Sequence, residues 1–198
     1  MMKNIVLLSH CLLNPFSKVK DEQEPEDTSA LIEWLLKNQI GIIQLKCPET
    51  EIYGLKRWGH VREQFDTSHY RSVSRSLLAK TIDEVKEYMN NGYQLLAVIG
   101  IDGSPSCGIH CSCSSKRWGG EISLIKDLEE IKQIDYCALP GIFMEELQQL
   151  FKQNAVKTSF LAYEPHSIDA LIEALQKKYK NLLSKFLKRY IVFPFLGN

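Results

Sequence analysis

Residues 93–108 read YQLLAVIGIDGSPSCG. The almost unbroken apolar run at the start of this stretch predicts a β-strand over Tyr93–Ile101. A loop rich in Gly, Ser and Cys follows and is expected to cover residues 102–120, which places Cys107 six residues past the end of the strand. Long loops in compact domains are usually functional or disordered, so a cysteine in this loop is a candidate functional residue.

Two earlier apolar runs are also followed closely by a cysteine. Lys3–Leu8 predicts the first strand, and Cys11 lies three residues past it. Gly41–Leu45 predicts the second strand, and Cys47 lies two residues past it. The second run shows no polar alternation, which is typical of a parallel strand that is covered on both faces. Three cysteines therefore occupy equivalent positions relative to three strands.

The segments between and after these strands favour helices, with a long irregular stretch expected at 46–70. Alternating strands and helices predict a single α/β domain over residues 1–198, with a mostly parallel sheet flanked by helices in a Rossmann-like arrangement. A basic C-terminal helix and tail are expected from about 167 to 198. The helices are predicted at about 27–38, from beyond 70 to 90, at 121–133, at 141–154 and after Ser167. Two further strands are predicted at Ile134–Leu139 and Thr158–Tyr163.

Parallel strands present their carboxyl ends at one edge of a sheet, where ligands bind in folds of this class. Cys11, Cys47 and Cys107 are therefore expected to converge in the loops at that edge. A single free cysteine is most often a buried core residue. Three cysteines in equivalent loops favour a functional site, because loops carry function more often than they fill a core. Cys137 lies inside a predicted strand and is expected to be a buried, inert core residue.

The rest of the composition favours a cytoplasmic protein without a membrane partner. The N-terminus does not resemble a signal peptide, and no apolar run reaches the roughly 18 residues of a membrane span. Six cysteines in a cytosolic chain are core fillers, catalytic thiols or metal ligands, because thiols are kept reduced there. Three thiolates leave one coordination position open, and soft sulfur ligands suit zinc or an iron–sulfur cluster.

Three motifs in this order resemble the thiouracil desulfidase family over roughly residues 4–165. They are Ser9-His10-Cys11-Leu12-Leu13, Cys47-Pro48-Glu49 and Ser104-Pro105-Ser106-Cys107-Gly108. The resemblance implies a [4Fe–4S] cluster on the three cysteines, and it implies that Glu49 and Ser104 assist proton transfer. It also implies an enzyme that hydrolytically removes sulfur, as sulfide, from a small thiopyrimidine-like compound.

Two segments depart from the pattern of that family. Asn14 and residues Phe16–Lys20 replace a glycine and an Arg-Tyr-Asp-Gly segment, and Thr50–Gly59 is also remodelled. The chain is therefore identified as a divergent relative, with a cluster site that matches more closely than the parts that would contact a substrate.

Two other functions fit the same residues. A zinc hydrolase would use the same three thiolates. A non-catalytic metal- or redox-sensing module would instead use Cys107, Cys111 and Cys113, which lie unusually close in sequence. His10 and His110 flank cysteines and would tune a metal site, although solvated loop histidines are equally consistent with the sequence. Arg57, Arg117 and Trp118 would hold an anionic or planar substrate, or simply pack.

The charge distribution does not favour nucleic acid as a partner. Residues 174–198 contain six basic residues and no acid, but the rest of the chain is acidic and the whole has zero net charge. Such a basic run is usually a solvated helix face. The partner expected is a small thiolated substrate, and the sequence does not fix the oligomeric state.

Overall fold

The computed structural model describes residues 3–20, 27–121, 123, 133–164 and 167–191. The strands are β1 (Asn4–Leu8), β2 (Ile40–Gln44), β3 (Gln94–Ile101), β4 (Ser112–Ser114), β5 (Asp135–Cys137) and β6 (Ser159–Tyr163). Four of them form one parallel sheet in the order β2-β1-β3-β6. The expected single-domain α/β fold with a parallel sheet is confirmed, because each crossover between these strands contains a helix.

The helices lie on both faces of this sheet. They are α1 (Ser29–Lys37), α2 (Pro48–Tyr53), α3 (Arg62–Phe65), α4 (Ser68–Asn90), α5 (Ile142–Gln153) and α6 (Ile168–Ile191). Helices α4 and α5 pack on one face, and α1 and α6 pack on the other. Gly92 follows α4 with φ of +81°, the left-handed conformation that glycine adopts without strain.

After their first residues the central strands β1 and β3 are apolar, because both of their faces are covered. In β1, Ile5 and Leu7 pack into the cluster that includes α4 and α5, whereas Val6 and Leu8 pack into the cluster that includes α1 and α6. Successive residues of a strand point to opposite faces, so a run without polar alternation places one apolar side chain in each core in turn.

The two long loops expected from the sequence contain short elements. Helices α2 and α3 lie within residues 46–70, and β4 lies within residues 102–120. The strand expected at Ile134–Leu139 is shorter, and it pairs antiparallel with β4 in a separate two-stranded sheet. Its expected place in the main sheet is wrong, because Asp135 and Tyr136 are exposed and do not suit a strand covered on both faces.

Cys137 is also not the core residue that the sequence favours. It ends β5, is half-buried, and its Sγ lies 3.5 Å from the carbonyl oxygen of Ser112. The helix expected at 121–133 and the tail beyond Ile191 lie almost wholly outside the described residues. Among the helices that the structure describes, none has both the length and the apolar character that crossing a bilayer requires.

A set of ion pairs joins α4 to α5 beside the core. Glu146 on α5 has a side chain only 2% exposed, and its two oxygens accept hydrogen bonds from Arg71 at 2.7 Å and from Arg75 at 2.8 Å. Arg71 also pairs with Glu145 at 3.0 Å. A buried carboxylate is tolerated here because both of its oxygens have a cationic partner.

Replacing Glu146 by alanine should destabilise the fold because it removes two ion pairs and leaves a gap at a buried position between α4 and α5. We expect Glu146→Ala to lower the free energy of unfolding by about 2–4 kcal/mol, near the range for breaking a buried ion pair. Urea denaturation measures this loss. Glu173→Ala, at an exposed position on α6, is the control and should change the free energy by less than about 0.5 kcal/mol. Equal effects of the two substitutions would contradict a stabilising role for the ion pairs.

Candidate three-cysteine site

A pocket of about 240 Å³ lies at the carboxyl ends of β1, β2 and β3. It contains every residue that the sequence analysis proposed for the site: Cys11, Cys47, Glu49, Ser104 and Cys107. The structure therefore brings these five residues together, although they are spread over 97 positions of the chain. The pocket is also lined by His10, Ser17, Lys18, Val19, Arg57, Gly59, His60, Ile101, Pro105 and Ser106.

Cys11 and Cys47 are placed by short helical turns that begin directly after the strands. Cys11 lies in the 3₁₀ turn His10–Leu12. Cys47 is the N-cap residue of α2, and its Sγ accepts hydrogen bonds from the backbone nitrogen of Thr50 at 3.4 Å and from the Thr50 hydroxyl at 3.3 Å. Pro48 occupies the first helical position, where its fixed φ and missing N–H are compatible with a helix start.

Cys107 is placed by backbone segments that pack without intervening side chains. A Cβ atom at Gly141 would lie 2.3 Å from the carbonyl carbon of Ser106, and one at Gly100 would lie 2.4 Å from the carbonyl oxygen of Cys107. The first turn of α5 holds the same loop, because Ile142 and Met144 donate their N–H groups to the carbonyl oxygens of Pro105 and Ser106. The loop is therefore fixed from both sides.

Two of the three thiols, Cys11 and Cys107, lie in an environment that disfavours their charged form. Burial raises the pKa of Cys11 to about 12. Burial also raises the pKa of Cys107 well above its ordinary value, and the nearby Cys11 and Cys47 raise it further. Since the thiolate is the form that binds metal, a metal centre at this site would have to displace protons from these sulfurs.

Glu49 faces the same pocket with both oxygens already hydrogen-bonded. Its side chain is 11% exposed. One oxygen accepts from Arg57 Nε at 3.0 Å and the other from the Ser106 hydroxyl at 2.5 Å. Arg57 is 3% exposed and also donates to the carbonyl oxygens of Ser17 and Gly54, at 2.7 and 3.1 Å. Arg57 is therefore a packed partner of Glu49 and of two loops, so it is not placed to hold an anionic substrate.

Ser104 and Ser106 lie beside Cys107 in the same turn. Ser104 Oγ accepts a hydrogen bond from the backbone nitrogen of Cys107 at 3.0 Å and lies 3.2 Å from Ser106 Oγ. Sequence reasoning assigned no role to Ser106, although this residue donates directly to Glu49. Its position next to a candidate ligand was the only available signal, because its contact with Glu49 spans 57 residues.

His60 is a second pocket residue that sequence reasoning missed. Its ring stacks on Tyr53, with centroids 4.7 Å apart, and its Nδ1 is buried without a hydrogen-bond partner among the described residues. Burial lowers the pKa of His60, which favours the neutral ring. No motif marked it, because it lies in the stretch between α2 and α3 whose structure the sequence did not specify.

The histidines and remaining loop cysteines differ in their relation to the pocket. His10 lines it, with Nδ1 3.2 Å from the carbonyl oxygen of Leu45. His110 is 67% exposed and lies 2.9 Å from Asp102, outside the pocket lining. Cys111 and Cys113 are also outside the lining, and Cys113 Sγ donates to the carbonyl oxygen of His60.

The donor groups that face the pocket suit an iron–sulfur cluster. The carboxylate of Glu49 is engaged by Arg57 and Ser106, so the groups left to coordinate are the three sulfurs, which are the ligands that clusters use, and the rings of His10 and His60. Within the described ranges, no group of three or more His, Cys, Asp and Glu side chains is arranged to hold a metal ion. In a cluster, separate irons take separate cysteines, whereas ligands of a single ion must meet at one centre.

These features define an α/β protein with a three-cysteine pocket at the carboxyl edge of its sheet. The chain is 39% identical over 108 residues to the uncharacterized protein MJ0003 of Methanocaldococcus jannaschii, a match that covers 54% of this chain and 69% of the archaeal protein. The chain therefore belongs to the family of that archaeal protein. No protein-family model and no solved structure matches the chain.

The close approach at Gly141 gives a test of how the Cys107 loop is held. Gly141→Ala should displace the loop, because its Cβ would meet backbone atoms that cannot move independently of the strand. We expect Cys107 in the metal-free protein to react with a thiol reagent at least about 10-fold faster than in the wild type, since burial protects it. Mass spectrometry of the labelled peptide measures the rate.

Gly59→Ala is the matched control for Gly141→Ala. Gly59 lines the same pocket, but an added Cβ would meet only a Trp118 side-chain atom at 4.0 Å, an ordinary contact. The control should label Cys107 at the wild-type rate. An unchanged rate in Gly141→Ala would mean that the loop does not depend on this contact.

Proposed function

We propose that the protein is a [4Fe–4S]-dependent enzyme that removes sulfur, as sulfide, from a small thiolated compound by hydrolysis. The observation that carries this proposal is the convergence of three thiols, of which Cys107 is buried and the other two are half-buried, with Glu49 and Ser104 on one pocket. The resemblance of the three motifs to thiouracil desulfidases supports a thiopyrimidine-like substrate. The reducing cytoplasm, where thiols are kept reduced, is the location that we propose for such a centre.

The proposed ligands are Cys11, Cys47 and Cys107. When bound, the cluster would supply an open iron that acts as a Lewis acid toward the substrate sulfur. Three protein ligands leave such a position open, as in catalytic metal sites. The loops at the carboxyl ends of the strands, which hold the three sulfurs, would bring the substrate beside Glu49.

The residues around the pocket supply the proton transfers of a hydrolysis. Water adds to the carbon of the thiocarbonyl group, the carbon–sulfur bond breaks, and sulfide leaves. Glu49 accepts the proton that the attacking water must lose, which is the role of a general base. Arg57 holds the carboxylate in place, and Ser104 donates a proton toward the departing group. The products are the oxygen analogue of the substrate and sulfide.

The ligand set is tested by replacing each cysteine in turn. Anaerobically purified wild-type protein should be brown and contain iron and acid-labile sulfide in similar amounts. Cys11→Ser, Cys47→Ser and Cys107→Ser should each lose this colour, because each removes one of only three ligands. Cys113→Ser, outside the pocket lining, is the matched control and should keep it. Full iron content in any of the three variants would remove that residue from the ligand set, and colourless wild-type protein with bound zinc would favour a zinc hydrolase.

The role of Glu49 is tested by removing its charge while keeping its shape. Glu49→Gln should keep the cluster but lower the rate of sulfide release per cluster by roughly 10²-fold or more, the contribution of a general base. A sulfide assay with thiouracil as the first substrate, normalised to iron content, measures the rate.

Glu51→Gln provides the control on the same helix. Glu51 is half exposed and pairs with Lys46 at 3.8 Å, so its substitution should leave the rate unchanged. If Glu49 served only to bind Arg57, Glu49→Gln would lower the melting temperature and keep the wild-type rate per cluster, which would contradict its role as a base.

A further inference from the structure

The two residues assigned to proton transfer share no direct hydrogen bond among those that the structure describes. Glu49 lies on α2, and Ser104 lies in the loop after β3. Ser106 connects them, because its hydroxyl lies 2.5 Å from Glu49 Oε1 and 3.2 Å from Ser104 Oγ. The serine between the two sites is therefore part of the same hydrogen-bonded chain.

The direction of this chain follows from the number of protons available. A serine hydroxyl has one proton to donate and two lone pairs to accept with. Ser106 lies near two acceptors, Glu49 at 2.5 Å and the sulfur of Cys107 at 3.6 Å. The shorter bond to a carboxylate is the stronger one, so Ser106 donates to Glu49. Ser106 then accepts from Ser104.

The other end of the chain is also determined. Ser104 Oγ accepts the backbone N–H of Cys107 at 3.0 Å, which leaves its own proton for Ser106. The far oxygen of Glu49 accepts from Arg57 at 3.0 Å. The hydrogen bonds therefore run in one sense, from Cys107 N–H through Ser104 and Ser106 to Glu49.

Burial makes Ser106 difficult to replace by water. Ser106 and Glu49 are both buried. The carbonyl group of Ser106 is fixed by the N–H of Met144, and Gly141 packs against the same peptide group. The buried hydroxyl of Tyr70 also lies close to Ser106, but without a hydrogen bond of good geometry. Loss of the Ser106 hydroxyl would thus interrupt the series of hydrogen bonds in a closely packed region, where a water molecule has little room to replace it.

We propose that Ser106 is a positioning residue that couples Glu49 to Ser104, so that the two act as one proton-transfer unit. This inference rests on the proposed function. In each turnover Glu49 takes a proton from the attacking water, which turns the carboxyl group from an acceptor into a donor. The hydroxyls of Ser106 and Ser104 then rotate, so that the hydrogen bonds run in the opposite sense and Glu49 passes its proton to Ser106. Ser106 passes its own proton to Ser104, and Ser104 passes its own to the departing sulfur. One proton has then moved from water to sulfur, and both hydroxyls are restored.

A double-mutant cycle tests this coupling. Ser104→Ala and Ser106→Ala should each lower kcat for sulfide release per cluster, by about 10-fold or more, with a smaller effect on KM. The kcat of the double variant should be no lower than that of the slower single variant. Either substitution alone already interrupts the proton transfer between Glu49 and Ser104, so the second removes nothing further. Losses that multiply in the double variant would overturn the coupling.

A buried serine elsewhere in the chain serves as the control. Ser74 on α4 is 0% exposed, and its hydroxyl has no partner among the described residues. Ser74→Ala should therefore keep the wild-type kcat. If Ser106→Ala lowers the melting temperature but keeps the wild-type kcat, Ser106 has only a structural role and the proposal is overturned.

Proton NMR of the metal-free protein provides a readout that does not depend on activity. A hydroxyl proton held in a short bond to a buried carboxylate should give a downfield signal that exchanges slowly. The signal should be present in the wild type and in Ser104→Ala, and absent from Ser106→Ala. If folded wild-type protein lacks this signal, Ser106 does not hold a short hydrogen bond to Glu49, and the proposed coupling is overturned. If the wild-type protein shows the signal but releases no sulfide from any thiolated compound, the proposed function is overturned, whereas the hydrogen bond between Ser106 and Glu49 is confirmed.

Discussion

The arrangement of the pocket depends on a direct backbone contact between the loop after β3 and the start of α5. At Gly141 the two segments come so close that a single added carbon atom would overlap the peptide group between Ser106 and Cys107. The N–H groups of Ile142 and Met144 reinforce the contact by bonding to carbonyl oxygens of the loop. A helix anchored in the core thereby fixes the position of Cys107, and with it Ser104 and Ser106. The sheet and its helices thus support the loops of the pocket, and they also set the positions of Cys11 and Cys47.

Much of the fold and the membership of the site were predictable from local patterns. The apolar runs of β1, β2 and β3 indicate buried parallel strands, and parallel strands end at a common edge. Cys11, Cys47 and Cys107 could therefore be grouped before any coordinate was known. The 3.6-residue spacing of apolar side chains identified α4 and α5 in the same way. Each of these inferences uses information within one segment, together with a general rule of topology.

The features that could not be predicted depend on contacts between segments that are distant in sequence. The hydrogen bond from Ser106 to Glu49 spans 57 residues and required both side chains to point into the same space. Strand β5 was assigned to the wrong sheet because its short apolar stretch resembles a buried strand, whereas its pairing with β4 depends on where the intervening chain returns. Cys137 was misjudged for the same reason. The place of His60 in the pocket was missed because it depends on contacts with side chains of α2 and α3 that the local sequence does not indicate.

Arg57 links the shapes of two loops that line the pocket. Its guanidinium group joins the loop that contains Ser17 to the turn after α2, while it also holds Glu49. A change of length or shape in one of these two segments would strain or break the bonds of Arg57 unless the other changed as well. The two loops are therefore mechanically coupled through one side chain, and the position of the carboxylate is kept only when both loops keep the carbonyl oxygens that Arg57 binds.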